Sequence, residues 1–280
     1  MDMAKWKECA ISDIGIVVGG ATPSTKKPEN YEGGTIPWIT PKDLSTFSGR
    51  YICCGERNIT EAGLKSCSAQ MIPSHSVLFS SRAPIGYIAI AQNAVCTNQG
   101  FKSVVPKEGT DYLFLYYLLK YNKDKIEHMG SGTTFKEVSG STMKNIRVNV
   151  PIDVEDQRKI ASVLDRIDSK IEQNANINKN LEQQADAIYQ SFFSPKSGIQ
   201  GKRVTLDEYC SIFTGKKNAN ASIDGGKYKF FTCAPDALQI DSYIYDGNAI
   251  IISGNGAYTG RTRFYSGRFD LYQRTYACTL

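Results

Sequence analysis

The chain is poor in the residues that most enzymes depend on. Its two histidines, His75 and His128, stand far apart in 280 residues, which leaves little for general-base work or for a mixed Cys/His zinc set. Eight cysteines are present, yet Cys9, Cys53, Cys54, Cys67, Cys96, Cys210, Cys233 and Cys278 include no C-x-x-C pair, so no metal and no cofactor is expected. The strings G-x-x-x-x-G-K-[ST], G-x-S-x-G, H-E-x-x-H and the N/D/S-P-P-Y/F tetrapeptide of amino-methyltransferases are all missing, which removes nucleotide, hydrolase and methyl-transfer sites. Apolar runs are short. None approaches the roughly 20 residues of a membrane span, and Met1 to Trp6 lacks the apolar core of a signal peptide. The expectation is a cytoplasmic, non-catalytic protein without membrane contact, its thiols reduced and used as small buried hydrophobes.

What is present is a duplication. Ile14 to Gly20 lines up with Cys210 to Gly215, Ile36-Pro37-Trp38-Ile39-Thr40 with Tyr228 to Thr232, Val77 to Gly86 with Ile251 to Gly260, and Asn98-Gln99-Gly100 with Tyr272-Gln273-Arg274. Three blocks in one order, the Asn98 match continuing the third at the same offset, with one intervening deletion, indicate two copies of a domain-sized module. Charge follows the same division. Residues 1–151 and 195–280 each carry a net charge of +4 while 152–194 carry −3, which fits two separate polyanion contacts joined by a non-basic spacer.

The first module reads as α+β. Val77 to Ser80, Gly86 to Ala91 and Phe101 to Val105 have strand character and suggest one curved, mostly antiparallel sheet. Asp111 to Tyr121 reads as a core-facing helix capped by Thr110 or Asp111, and Gly130 to Lys136 as a small-residue loop able to line a phosphate. From Val154 to Phe193 there is no Gly or Pro, and a heptad seam runs through Ile160, Leu164, Ile167, Ile171, Asn174, Asn178, Leu181, Ala185, Ile188 and Phe192. Such a helix is roughly 57 Å long at ~1.5 Å per residue and needs a partner along its seam. Residues 195–201 form a linker. The second module, 202–280, has no counterpart of the aromatic helix, the glycine-threonine loop or the long helix, so a truncated second copy is expected.

Four motifs carry a family likeness: G-G-x-T-P-S at Gly19 to Ser24, Y-x-G-G-x-I-P-W-I-T-x-K-D-L at Tyr31 to Leu44, N-Q-x-F-K at Asn98 to Lys102, and E-x-Q-x-K-I at Glu155 to Ile160. In this order the chain resembles the specificity subunits of type I restriction-modification systems. The resemblance implies two target-recognition domains that each read half of a split double-stranded DNA site. It also implies long helices that set the gap and dock methyltransferase subunits, with the restriction subunit completing the complex. On this reading residues 1–151 are the first recognition domain, 152–194 the spacer helix and 202–280 a partial second domain.

The candidate DNA contacts are polar groups on loops: Lys42, Asp43, Arg82, Asn98, Gln99, Lys102, Thr133, Thr134 and Lys136 in the first module, and Arg261, Arg263, Gln273 and Arg274 in the second. Arg, Asn and Gln suit base edges, while Lys and Thr suit phosphate. Asp43 has a second reading as a turn cap. The heptad seam offers itself to a second copy, antiparallel, with Asn174 and Asn178 facing Asn178 and Asn174. The competing class is a coiled-coil scaffold that binds protein rather than DNA, and a third is a nuclease with an unrecognised acidic site.

Overall fold

The computed structural model describes residues 5–82, 84–131, 136–194 and 201–280. The fold is α+β and divides into two compact units, Met1–Ala187 and Ile188–Leu280. In the first, β1 (Trp6–Ala10), α1 (Ile11–Ile14), β2 (Gly15–Gly19), β3 (Ile36–Ile39), α2 (Pro41–Ser45), β4 (Tyr51–Ile52), β5 (Arg57–Ile59) and α3 (Glu61–Lys65) lead to the central hairpin β6 (Val77–Ser81) and β7 (Ile85–Ala91). Then come β8 (Cys96–Thr97), β9 (Lys102–Pro106), α4 (Tyr112–Tyr121), α5 (Lys123–His128), α6 (Gly140–Asn145), β10 (Arg147–Pro151) and the long helix α7 (Val154–Phe193). The strands of the second unit are β11 (Ser211–Thr214), β12 (Tyr228–Phe231), β13 (Leu238–Ile240), β14 (Tyr245–Ser253), β15 (Thr262–Leu271) and β16 (Thr275–Thr279). No helix among the described residues is long and apolar enough to cross a membrane.

Strand β6 is buried along its whole length because both faces of its sheet are covered. Val77, Phe79, Ile90 and Val104 point to a core closed by Phe114, Leu115, Leu118 and Leu119 of α4, with Ile126, Met143 and Ile146. The alternate residues Leu78, Ala89 and Ala91 meet Ile39, Leu44, Ile52 and Phe101 on the other side, as the two-residue period of a strand requires. Helix α4 starts where Asp111 accepts a hydrogen bond from Phe114 N at 2.8 Å. Its six residues Phe114 to Leu119 are all buried, so the aromatic stripe is core.

The two units repeat one strand order. In the first the sheet runs β2-β9-β6-β7-β4 and in the second β11-β16-β14-β15-β12-β13, with β2, β9, β6 and β7 matching β11, β16, β14 and β15. Registers give the correspondence residue by residue. Gly19 faces Lys102 as Thr214 faces Tyr276, and Ile39 pairs in parallel with Thr97 as Phe231 pairs with Leu271. The third sequence block needs a correction of one residue. Val77 faces Val104 as Ile250 faces Cys278, so Val77 matches Ile250 rather than Ile251. The bonds Ser81 N to Gly100 O and Gly254 N to Arg274 O agree. A shift of one was invisible in sequence because β14 is apolar at three consecutive positions, Ile250, Ile251 and Ile252.

In the first unit a bend after Ala91 separates β7 from β8, and β3, β5 and β8 form a sheet of their own. In the second, β15 runs unbroken for ten residues and serves both roles, pairing with β14 and, at its end, with β12.

Helix α7 meets its own unit through a stripe one residue round from the heptad seam. Gln157 and Ala161 are buried. Gln157 accepts from Asp111 N at 3.0 Å and donates to Pro151 O at 3.1 Å and Gly109 O at 3.3 Å. Further along, Arg50 donates to Asp165, Ser169 and Glu172, and Lys120 pairs with Asp168 at 3.3 Å. The seam itself stays open: Ile160 is half-buried, while Leu164, Ile167, Ile171, Asn174, Asn178, Leu181, Ala185, Ile188 and Phe192 are exposed.

The expectation that the cysteines are buried holds fully at only two positions, with Cys67, Cys210, Cys233 and Cys278 partly exposed. Cys9 and Cys96 are core, but Cys53 and Cys54 are exposed, because β4 ends at Ile52 and the chain leaves the sheet there.

Candidate nucleic-acid interface

In the first unit the candidates collect around one turn, residues 97–100, where β8 ends. Gly20 lies against this turn so closely that a Cβ would sit 2.1 Å from Asn98 O and 2.2 Å from Thr97 O, which leaves glycine as the residue that fits. Ala21 N then bonds Thr97 O at 3.0 Å, and the Trp38 indole donates to Ala21 O at 3.0 Å. The Asn98 carboxamide accepts from Gly100 N at 2.9 Å and so shapes the turn. Gln99 is exposed and accepts from the Thr22 hydroxyl. Gly100 O accepts from Ser81 N at 2.7 Å, which brings the end of β6 alongside.

Beside it Arg82 and Lys102 share one carboxylate, Glu137, at 3.7 and 3.3 Å. Lys136 is the exposed neighbour of that carboxylate. Glu137 is held in place through two backbone bonds with Ser131, at 3.1 and 2.9 Å. Two cations on one anion leave a net positive charge, and ion pairs with a partly exposed carboxylate are worth ~1 kcal/mol or less, so a phosphate competes for them at small cost. Thr133 and Thr134 lie outside the described residues.

Lys42 and Asp43 sit on α2, whose first residue, Pro41, packs against the same turn at Gly100. Lys42 is exposed and pairs with Glu56 at 2.7 Å; that hydrogen bond and the paired charge raise the Lys42 ammonium and lower the Glu56 carboxyl from their usual values. Asp43 is spent on structure. One oxygen accepts from Thr40 N at 2.7 Å and from its hydroxyl at 2.7 Å, and the other from Glu56 N at 2.7 Å. This is the cap reading, and it removes Asp43 from the groups free to meet a ligand.

The second unit builds the same turn from different residues. Gly215 lies 1.7 Å, as a Cβ would measure it, from Leu271 O, repeating the approach of Gly20 to Thr97 and Asn98. Gln273 has its backbone tied on both sides, by N to Lys217 O at 3.0 Å and by the Thr214 hydroxyl to its carbonyl at 2.8 Å, while the residue stays exposed, as does Arg274. Gly254 N bonds Arg274 O at 2.9 Å and brings in the loop that holds Arg261, which lies over the Tyr258 ring at 5.4 Å. Arg263 is otherwise engaged. It donates to Ala234 O at 2.7 Å and Pro235 O at 3.1 Å and covers the Phe231 ring. Burial, then the charge of Arg261, lowers its guanidinium from the usual value, and it positions the loop after β12.

Sequence reasoning missed Arg50, Thr22 and Tyr258. Arg50 had no local signal, since its partners on α7 lie more than a hundred positions away. Thr22 and Tyr258 were within reach, as neighbours of the G-G-x-T-P-S motif and of Arg261. Among the described residues no group of three or more His, Cys, Asp or Glu side chains is placed to hold a metal ion.

Comparison with known proteins bears on this geometry. Residues 3–183 match the family model of the type I restriction modification DNA specificity domain. The chain is 46% identical over 190 residues to the type I restriction enzyme MjaIX specificity subunit of Methanocaldococcus jannaschii, covering 67% of this chain and 44% of that protein. It is 42% identical over 81 residues to the type I restriction enzyme EcoDI specificity subunit of Escherichia coli, covering 29% and 18%. The chain thus spans less than half the length of these relatives. The crystal structure of the S subunit of a type I restriction-modification system from M. genitalium superposes with a TM-score of 0.73 at 17% identity, over 99% of this chain and 73% of that one, which is a likeness of fold. With the family model matched over well more than half of its length, the chain belongs to the type I restriction modification DNA specificity domain family.

Proposed function

We propose that the chain is the DNA-reading subunit of a cytoplasmic type I restriction-modification complex. It binds double-stranded DNA at a split site and docks methyltransferase subunits, with the restriction subunit of the same system as a further partner; chemistry on DNA belongs to those subunits. Residues 1–151 act as a first recognition domain and 202–280 belong to a second, with 152–194 as spacer; of the linker 195–201, residues 195–200 lie outside the described residues. The observation that carries the reading is the repeated turn. In both units a glycine clamps a backbone turn against strand carbonyls, and polar side chains cluster there: exposed Gln99 and Lys136 with the partly buried Arg82 and Lys102 in one, exposed Gln273, Arg274 and Arg261 in the other. Gln and Arg at such a turn suit base edges, and Lys42, Lys102 and Lys136 suit phosphate.

The exposed seam from Leu164 to Phe192 supports a helical partner on α7, since a row of exposed Ile and Leu of this length is seldom left in water. A second copy of the chain, antiparallel, satisfies it with Asn174 and Asn178 facing their counterparts. The test is co-expression with a methyltransferase subunit of the same system, followed by footprinting at moderate salt. Two short protected tracts separated by an unprotected gap are expected. Retention of DNA without sequence preference overturns the reading.

A further inference from the structure

Of the eight cysteines, Cys53 and Cys54 are the exposed ones, and their sulfurs lie 3.4 Å apart. They follow β4 directly and lead into a loop that carries more than its own weight. Gly55 is pressed so closely inward that a Cβ would stand 2.8 Å from an Asp43 carboxylate oxygen and 2.9 Å from Trp38 O. Glu56 then donates its N–H to Asp43 at 2.7 Å and pairs its carboxylate with Lys42 at 2.7 Å. Asp43 in turn caps α2 through Thr40 N. The two thiols are thus one residue away from the cap that holds Lys42 and α2 beside the 97–100 turn.

We propose that Cys53 and Cys54 are a reversible modification site, oxidised by a peroxide to a disulfide between neighbours that loosens the Asp43 cap. One thiolate attacks the peroxide, giving a sulfenic acid and hydroxide as the O–O bond breaks. The second sulfur then attacks the first, the S–O bond breaks, and hydroxide leaves with the second thiol's proton as water. Two thiols and one hydrogen peroxide yield one disulfide and two waters. The hydrogen bond between the thiols, with the charge of Cys53, pushes the Cys54 thiol up from its usual value, so Cys54 suits the role of the protonated second thiol.

Closing this bond deforms the backbone. Adjacent Cα atoms are about 3.8 Å apart, whereas unstrained disulfides span roughly 4.4 Å or more. The strain makes the bond easily reduced, the behaviour of regulatory rather than structural disulfides. It falls on Gly55, which has no free space on its Asp43 side, and so passes to Asp43 and the Glu56 amide.

The experiment uses the whole purified chain with a small excess of hydrogen peroxide. Intact mass is expected to fall by two hydrogens, mapped to the peptide holding both cysteines, restored by dithiothreitol and absent from Cys53→Ser and Cys54→Ser. Hydrogen exchange at the Glu56 amide is expected to speed up about tenfold in the oxidised protein. Sulfinic acids instead of a disulfide, or a disulfide that leaves Glu56 exchange unchanged, overturns the proposal. The consequence for DNA rests on the function proposed above: oxidised protein in complex with its methyltransferase subunit is expected to retain DNA about fivefold more weakly, the size of one lost helix cap. Unchanged retention by a protein whose Glu56 amide has opened refutes that consequence alone and leaves the oxidation site standing.

Discussion

Replacing Arg50 with Ala is expected to free the middle of α7 from its own unit. Arg50 is 9% exposed and uses all five of its N–H groups on three residues of α7. Nε and Nη2 grip the two Glu172 oxygens at 3.0 and 3.2 Å, Nη2 also reaches Ser169 at 2.9 Å, and Nη1 takes Asp165 through its carboxylate and its carbonyl. Burial opposes the charge, but the bonds to Glu172 and the charges of Asp165 and Glu172 outweigh it and raise the guanidinium from its usual value. Charge-assisted hydrogen bonds are worth about 1.5–3 kcal/mol each before discounting. Asp165 and Glu172 are 36% and 39% exposed and regain water when the arginine goes, so the net loss is about 2 kcal/mol. In a unit of this size that lowers Tm by about 4–8 °C. If the loss acts by local opening, amides from Asp165 to Glu172 exchange about thirtyfold faster, since ~1.4 kcal/mol is a factor of ten. Arg50→Lys keeps the charge without the planar fork and recovers about half. Calorimetry and peptide-resolved exchange measure both effects. An Arg50→Ala protein with unchanged exchange over 165–172 refutes the assignment of the latch.

Gly20→Ala and Gly215→Ala each force a Cβ into backbone carbonyls and are expected to cost about 1–3 kcal/mol, read as earlier denaturant unfolding of the affected unit; Gly19→Ala, with open space around it, is the neutral control. Gln157→Ala strips partners from Asp111 N, Pro151 O and Gly109 O and is expected to cost about 2 kcal/mol by urea unfolding. Arg261→Ala is expected to lower the slope of log affinity against log salt by about 0.9 if Arg261 meets a phosphate, and an unchanged slope removes it from the interface. Ile167→Asp and Leu181→Asp are expected to abolish self-association seen by light scattering at micromolar concentration. A wild type that is monomeric there rules out pairing through the seam in the isolated protein.

The elements with strong local signals were legible. Apolar runs from Val77 and Gly86 marked the central hairpin, and an unbroken polar stretch without Gly or Pro marked α7. The duplication was legible in its three blocks, and the third slipped by one residue where β14 offers three isoleucines in a row, because hydrophobicity alone cannot set a register there. The second sheet of the first unit was not foreseen: β3, β5 and β8 are two to four residues each and come from three distant segments. At the candidate site, residue types pointed to a turn that both units share but could not tell a free side chain from an occupied one. Asp43 and Arg263 are consumed by backbone groups, and only coordinates show that. The seam drew attention on α7, yet the helix is tied to its unit by the stripe beside it, through polar residues that a hydrophobic pattern passes over.

The clamp at Gly20 and Gly215 has an evolutionary reading. Both turns are fixed largely by main-chain atoms, a missing Cβ and carbonyl-to-amide bonds, with Asn98 and Thr214 adding one side-chain bond each, so the scaffold makes little demand on the other side chains the turn displays. Gln99 and Gln273 coincide, while Lys102 corresponds to Tyr276 and Arg82 to Asn255 on the same framework. A lineage can therefore exchange the displayed alphabet by point mutation or by recombination between copies without refolding the module, and new binding preferences arise with the architecture left intact.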